Sequence, residues 1–130
     1  MTSAFVAEQI VVEAPNRVGL LADVTTALLG AGVNVTAIMG WEGDGRAKIV
    51  AVTEDNEQAV AALTRAGISP TTEPVVVMTM PDEVGALNEA AQRISQDGID
   101  IVWMYATVAE ATHVTVIFKT TDNEAVAALF

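Results

Sequence analysis

The chain has 130 residues, 52% of them hydrophobic, and a formal net charge of -11 from 17 acidic residues against 6 basic ones. That is enough apolar material for one ordinary domain or two very small ones. The cations Arg17, Arg46, Lys48, Arg65, Arg93 and Lys119 form no adjacent patch, which speaks against nucleic acid and anionic membranes as partners. With no cysteine, disulfide scaffolds, thiol catalysis and thiolate metal sites are excluded.

The opening MTSAFVAEQIVVEA lacks a basic leader and meets Glu8 before an apolar run reaches signal-peptide length. No stretch approaches the roughly 18 apolar residues of a membrane span, so a soluble cytoplasmic protein with no membrane association is expected. IVVEA (10–14) is short, β-branched and apolar, and predicts a strand. Val18, Leu21, Val24, Leu28 and Ala31 then recur at helical spacing, and Gly32 stands where a helix end favours positive φ. VNVTAIMGW, a turn in EGDG, and RAKIVAVT predict a hairpin. Asp55 is placed to cap a short helix beginning NEQAVAAL, and GISPTTE supplies at most a short closing strand.

The chain then repeats itself. VVVMTM (75–80) predicts a strand, and Val84, Leu87, Ala91 and Ile94 mark a helix with Glu89, Gln92, Arg93 and Gln96 on its other face. Gly98 ends that helix. IDIVWMYATV, a turn around EAT, and HVTVIFKT form a second hairpin, and Asp122 caps NEAVAAL. Pro15, Gly19, Leu21, Gly32, Asn34 and Val35 are answered at one constant offset by Pro81, Gly85, Leu87, Gly98, Asp100 and Ile101. A match that holds register through turns and helices marks a duplicated unit.

The expected fold class is α+β: two tandem ferredoxin-like units, 1–72 and 73–130, each βαββαβ with antiparallel strands and helices on one face. The second unit stops at Phe130 and is expected to lack its last strand. Units this small are marginal alone. Strands such as VVVM and VTVIF are apolar at both parities although helices cover one face, so the other face is expected to meet the other repeat or another subunit, in a homodimer or larger oligomer.

Two such units, each opening with a strand, N/D-R/E-x-G-x-L at a helix start and G-V/I-N/D-V/I at the next strand, resemble ACT domains over essentially the whole chain, and are most similar to small free-standing tandem-ACT proteins. Val18 and Val84 precede the loop glycine where the family more often has proline. The resemblance implies a non-catalytic regulatory protein that binds a small effector, often an amino acid, at an interface between ACT units and acts on a separate enzyme or regulator. Family contacts from an Asn before the loop glycine and an Asn heading the second strand fall on Asn16 and Asn34 in the first unit, and on Asp82 and Asp100 in the second.

The residues carry a physical rationale of their own. A free helix N-terminus offers unpaired N–H groups and partial positive charge to a carboxylate, and glycine lets a ligand approach the backbone. The candidate ligand-binding set is therefore Asn16, Arg17, Val18, Gly19, Leu20 and Asn34, with Asp82, Glu83, Val84, Gly85, Ala86 and Asp100. The side-chain oxygens of Asn16 and Asn34 suit an α-ammonium group, whereas Asp82 and Asp100 favour a cation. On the structural reading, Asn16 and Asp82 are helix N-caps, Asn34 and Asp100 are turn or strand-edge groups, and Gly19 and Gly85 permit close helix packing.

The glycines of GWEGDG precede a strand rather than a helix, so they read as a turn and not a phosphate loop. His113 has no second histidine to join it, and Glu54-Asp55 and Asp82-Glu83 lie at expected turns and helix starts. No metal, cofactor or catalytic group is expected. Trp103, Met104 and Tyr105 read as core and interface residues, and Met78 and Met80 as core. The alternative to an effector-binding regulator is an association module with no ligand, and a ferredoxin-like enzyme is a third reading.

Overall fold

The computed structural model describes residues 1–110 and 112–130. The elements run β1 (Ser3–Pro15), α1 (Leu20–Gly30), β2 (Val35–Gly43), β3 (Arg46–Thr53), α2 (Asn56–Arg65), β4 (Thr71–Pro81), α3 (Ala86–Gln96), β5 (Ile101–Glu110), β6 (His113–Thr120) and α4 (Asn123–Ala128). The β-α-β-β-α order expected from the repeat is thus present twice. The turn expected around EAT includes Ala111, which lies outside the described residues.

The chain divides into two compact units, Glu8–Glu73 and Met1–Ala7 with Pro74–Phe130. This corrects the expected boundary, because the first seven residues group with the second repeat. The cause is strand length. β1 and β4 each run well past the short apolar stretches visible in the sequence, and the division falls within both. In Glu8–Glu73 the strand order is β2-β3-β1-β4, the last being the start of β4 at residues 71–73. In the other unit it is β5-β6-β4-β1. The closing strand expected to be missing there is therefore residues 3–7, and both units are complete βαββαβ folds. An uncovered edge would leave a row of N–H and C=O groups unpaired.

Hairpin registers agree with the duplication. Ile38 lies opposite Ala51 and Gly40 opposite Ile49; Met104 lies opposite Phe118 and Ala106 opposite Val116. Each hairpin has an irregularity at the same place, between Val35 and Ala37 and between Ile101 and Trp103. The first turns at Asp44 and Gly45, whose φ values of 54° and 75° suit the tight two-residue turn that Asp-Gly favours.

Each unit has its own core. Ile10, Val12, Leu20, Val24, Leu28, Ile49 and Leu63 form one, and Val76, Met78, Met80, Ile94, Val116, Phe118 and Val126 the other. At about 1.5–3 kcal/mol for each fully buried large aliphatic side chain, these clusters are the main favourable term in each unit. The other strand parity is buried too, at Val11, Val50, Val77 and Ile117.

The helical phase differs from the expected one. Val18 and Val84 are fully exposed, and Leu21 and Leu87 are 55% and 43% exposed; α1 buries Leu20, Val24 and Leu28, and α3 buries Ala90 and Ile94. The helices start only after Gly19 and Gly85, so the valines belong to the preceding loop and the buried stripe is displaced.

At the other ends the expectations hold. Gly32 and Gly98 have φ of 68° and 71°, and Val33 and Ile99 donate back to the carbonyls of Leu28 and Ile94, closing Schellman-type ends. Asp55 and Asp122 cap α2 and α4, accepting from the amides of Gln58 and Ala125 at 3.1 Å each. The asparagine after each cap ties its helix to a strand: Asn56 Nδ2 donates to the Glu8 carbonyl and Asn123 Nδ2 to that of Pro74. Among the described residues, no helix is long and apolar enough to cross a membrane.

Candidate functional site

Gly19 and Gly85 are the N-cap residues of α1 and α3, with φ of 89° and 91°, and neither helix start receives a side-chain cap. The capping reading of Asn16 and Asp82 is thereby corrected: both lie three residues upstream, too early to reach the first free amides. Close packing does not explain the glycines either, since a Cβ at Gly19 or Gly85 would meet nothing within 4 Å. Their requirement is the left-handed backbone, which L side chains adopt at a cost. The Leu20 amide turns back to the Arg17 carbonyl at 3.4 Å, and the next amides of α1, on Leu21 and Ala22, have no side-chain cap.

Two contacts hold the first loop in place. The Asn16 amide donates to the Gly45 carbonyl at 2.8 Å, joining the loop to the β2–β3 turn. Arg17 Nη2 pairs with Asp23 Oδ2 at 2.6 Å, with both side chains about half exposed. An ion pair this exposed adds little stability, but it stations a guanidinium beside the helix start. The second loop is anchored likewise, its Asp82 amide donating to the Thr112 carbonyl at 2.9 Å.

Beneath the first loop lies a cavity of about 430 Å³ within the unit Glu8–Glu73. The loop and first turn of α1 contribute Asn16, Arg17, Gly19, Leu20, Leu21 and Ala22; the β2–β3 sheet contributes Ile38, Met39, Gly40, Trp41, Glu42, Ala47 and Ile49. Its polar side chains are Asn16, Arg17 and Glu42, and the remaining walls are apolar. Lys48 Nζ lies 5.5 Å from the Trp41 ring centroid, a cation–π distance, and 3.5 Å from Glu13 Oε1. Glu42 Oε1 accepts from the Gly45 amide at 3.2 Å.

Four of the six candidates in this unit, Asn16, Arg17, Gly19 and Leu20, thus line one cavity. Val18 points to solvent, and Asn34 is not in the lining. Asn34 Nδ2 donates to Glu54 Oε1 at 3.2 Å, and its carbonyl accepts from the Glu54 amide. Asp100 has the matching backbone role, its carbonyl accepting from the Thr121 amide and its own amide donating to Thr121 Oγ1. The sheet wall was not legible in the sequence; only a glycine inside the strand, where the repeat has Ala106, hints at it.

The second loop borders a different cavity, about 590 Å³, within its own unit. Glu83, Val84, Gly85 and Ala86 line it with Glu89, Arg93 and Phe130, while Asp82 does not. Arg93 is engaged there, its guanidinium 4.3 Å from the Phe130 ring centroid and Nη2 donating to the Leu129 carbonyl. Trp103 stacks on Tyr105 with centroids 5.8 Å apart; Tyr105 is buried and Met104 is 37% exposed. Met78 and Met80 are core residues. His113 Nδ1 lies 2.9 Å from Thr112 Oγ1, and among the described residues no group of three or more His, Cys, Asp or Glu could hold a metal ion.

Duplicated ferredoxin-like α+β units with uncapped helix starts define the class of protein. The ACT domain family matches residues 9–69 of this chain. No curated protein sequence matches the chain. Among solved structures, protein BT0572 from Bacteroides thetaiotaomicron is 23% identical with a TM-score of 0.89, the match covering 97% of this chain and 87% of that one. The ligand-free regulatory subunit of aspartate kinase from Thermus thermophilus is 19% identical with a TM-score of 0.67, covering 95% and 93%. That from Thermus flavus is 18% identical with a TM-score of 0.61, covering 97% and 93%. At these identities the likeness is one of fold.

Proposed function

We propose that the protein is a non-catalytic regulator that binds a small effector, most simply an amino acid, in the cavity beneath the Asn16–Leu20 loop. The observation that carries this reading is the helix start without a side-chain cap, placed over a cavity that Asn16, Arg17 and Glu42 line together with mostly apolar residues. A carboxylate there would accept from the Leu21 and Ala22 amides of α1 and from Arg17, and Asn16 or Glu42 would receive the ammonium. The ACT family match and the regulatory subunits of like fold support a regulatory role.

Binding would act by favouring whichever packing of copies, or of chain and partner enzyme, forms the liganded arrangement. Fully exposed Val18 and Val84, with partly exposed Leu21 and Leu87, favour a second reading, an association module with no ligand and these side chains as its contact surface. Thermal melts against the twenty amino acids separate the two. A ligand at 100 times its Kd adds about 2.7 kcal/mol of stability, and no shift with any of them supports the association module.

A further inference from the structure

Resting on that reading, we infer that the effector is an amino acid with an apolar side chain, and that each chain binds one molecule of it, in the cavity of the unit Glu8–Glu73. The lining is divided by chemistry. Asn16, Arg17 and the open helix start provide for the charged backbone end of an amino acid, and Glu42 for its ammonium. Leu20, Ile38, Ala47 and Ile49, with Gly40 on the same strand face, leave an apolar remainder with no charged wall group to satisfy a polar side chain. A polar side chain buried there would lose its water without a partner, whereas each buried CH₂ group gains about fourfold in affinity. The volume of about 430 Å³ lies within the roughly 300–1,000 Å³ of small-molecule sites.

Gly40 opens this space. It sits inside β2 opposite Ile49, where a strand ordinarily carries a side chain, and such glycines often mark close approach of a ligand. Its backbone is not in the left-handed region, and a Cβ there would meet Ile49 Cγ1 at 3.5 Å, an ordinary contact. The other repeat carries Ala106 opposite Val116 at this position. Its loop presents Asp82 and Glu83 where the first presents Asn16 and Arg17, which repels a carboxylate. One repeat is thus built to hold the effector and the other is not.

Calorimetric titration of the full chain with L-leucine, L-phenylalanine, L-alanine, L-serine and L-aspartate tests this. Leucine or phenylalanine is expected to bind with one site per chain, leucine roughly 10- to 60-fold tighter than alanine, which is three carbons shorter. Gly40→Leu, which fills the cavity, is expected to abolish binding while the melt stays within a few degrees of wild type. Ile38→Ala, on a side chain already 41% exposed and on the strand face of Gly40, is expected to weaken it at least fivefold and guards against a folding defect in the first variant. Serine or aspartate as the tightest ligand, two sites per chain, or undiminished binding by Gly40→Leu overturns the inference while the regulator reading stands. Silence from all five, together with thermal melts that none of the twenty amino acids shifts, overturns both.

Discussion

Replacing Gly19 with alanine isolates the backbone conformation on which the site depends. The residue has φ of 89°, and an added Cβ meets no atom within 4 Å, so the substitution brings no clash and removes no packing. What remains is the cost of holding an L side chain in left-handed geometry, about 1–2 kcal/mol, partly offset by the lower unfolded-state entropy of alanine, about 0.4–1 kcal/mol. A net loss of about 1 kcal/mol is expected, which for a unit of this size lowers the melting temperature by roughly 4–8 °C. Gly85, with φ of 91° and the same empty surroundings, provides an internal control, and Gly85→Ala is expected to cost the same. Asparagine, which tolerates this conformation, is expected to cost about half as much at either position. Urea denaturation of the four variants measures all of this. A neutral or stabilising Gly19→Ala, or costs at the two positions that differ by more than about 1 kcal/mol, refutes the backbone account. With ligand present the two positions diverge: Gly19→Ala displaces the loop over the cavity and weakens binding, whereas Gly85→Ala leaves affinity unchanged.

Other perturbations test the surrounding framework. Asp55→Ala and Asp122→Ala each remove a side-chain cap and are expected to lower stability by about 0.5–2 kcal/mol in denaturant titrations; a change below 0.3 kcal/mol would show that the cap bonds do not contribute. Deleting residues 1–7 strips the closing strand from the unit Pro74–Phe130 and exposes the edge of β4. Hydrogen exchange at Val76, Met78 and Met80 is expected to quicken while Ile10 and Val12 keep their protection, and equal exchange in both chains would contradict the assignment. Asn34→Ala is expected to change effector affinity by less than twofold, because the amide is engaged with Glu54 away from the cavity; a tenfold loss in calorimetry would move the ligand to the head of β2.

The elements were legible because their signals are local. Alternating and continuous apolar runs marked the strands, Gly32 and Gly98 the helix ends, Asp44-Gly45 the hairpin turn, and Asp55 and Asp122 the caps, each set by contacts within a few residues. The helix phase was misread because Val18 and Val84 continue the apolar period across a glycine that interrupts it. Periodicity carries no record of φ, so the buried stripe was displaced. The loop half of the candidate site could be read from the uncommon glycine and its repetition. The sheet half could not, since Ile38, Ala47 and Ile49 look like any other strand residues until the hairpin folds back towards the loop.

The sequence by itself determined the duplication, the βαββα order and the acidic, cysteine-free character of the protein, because pattern and composition are written in the order of residues. Tertiary structure alone decided where each unit ends. The strand that closes the second repeat comes from the opposite end of the chain, and pairing between strands is satisfied by whichever backbone reaches the edge, whatever its distance in sequence. It also decided that two nearly equivalent loops lie over different cavities. Gly40 against Ala106, and Asn16-Arg17 against Asp82-Glu83, are small differences along the chain that count only where a strand and a helix start enclose the same space.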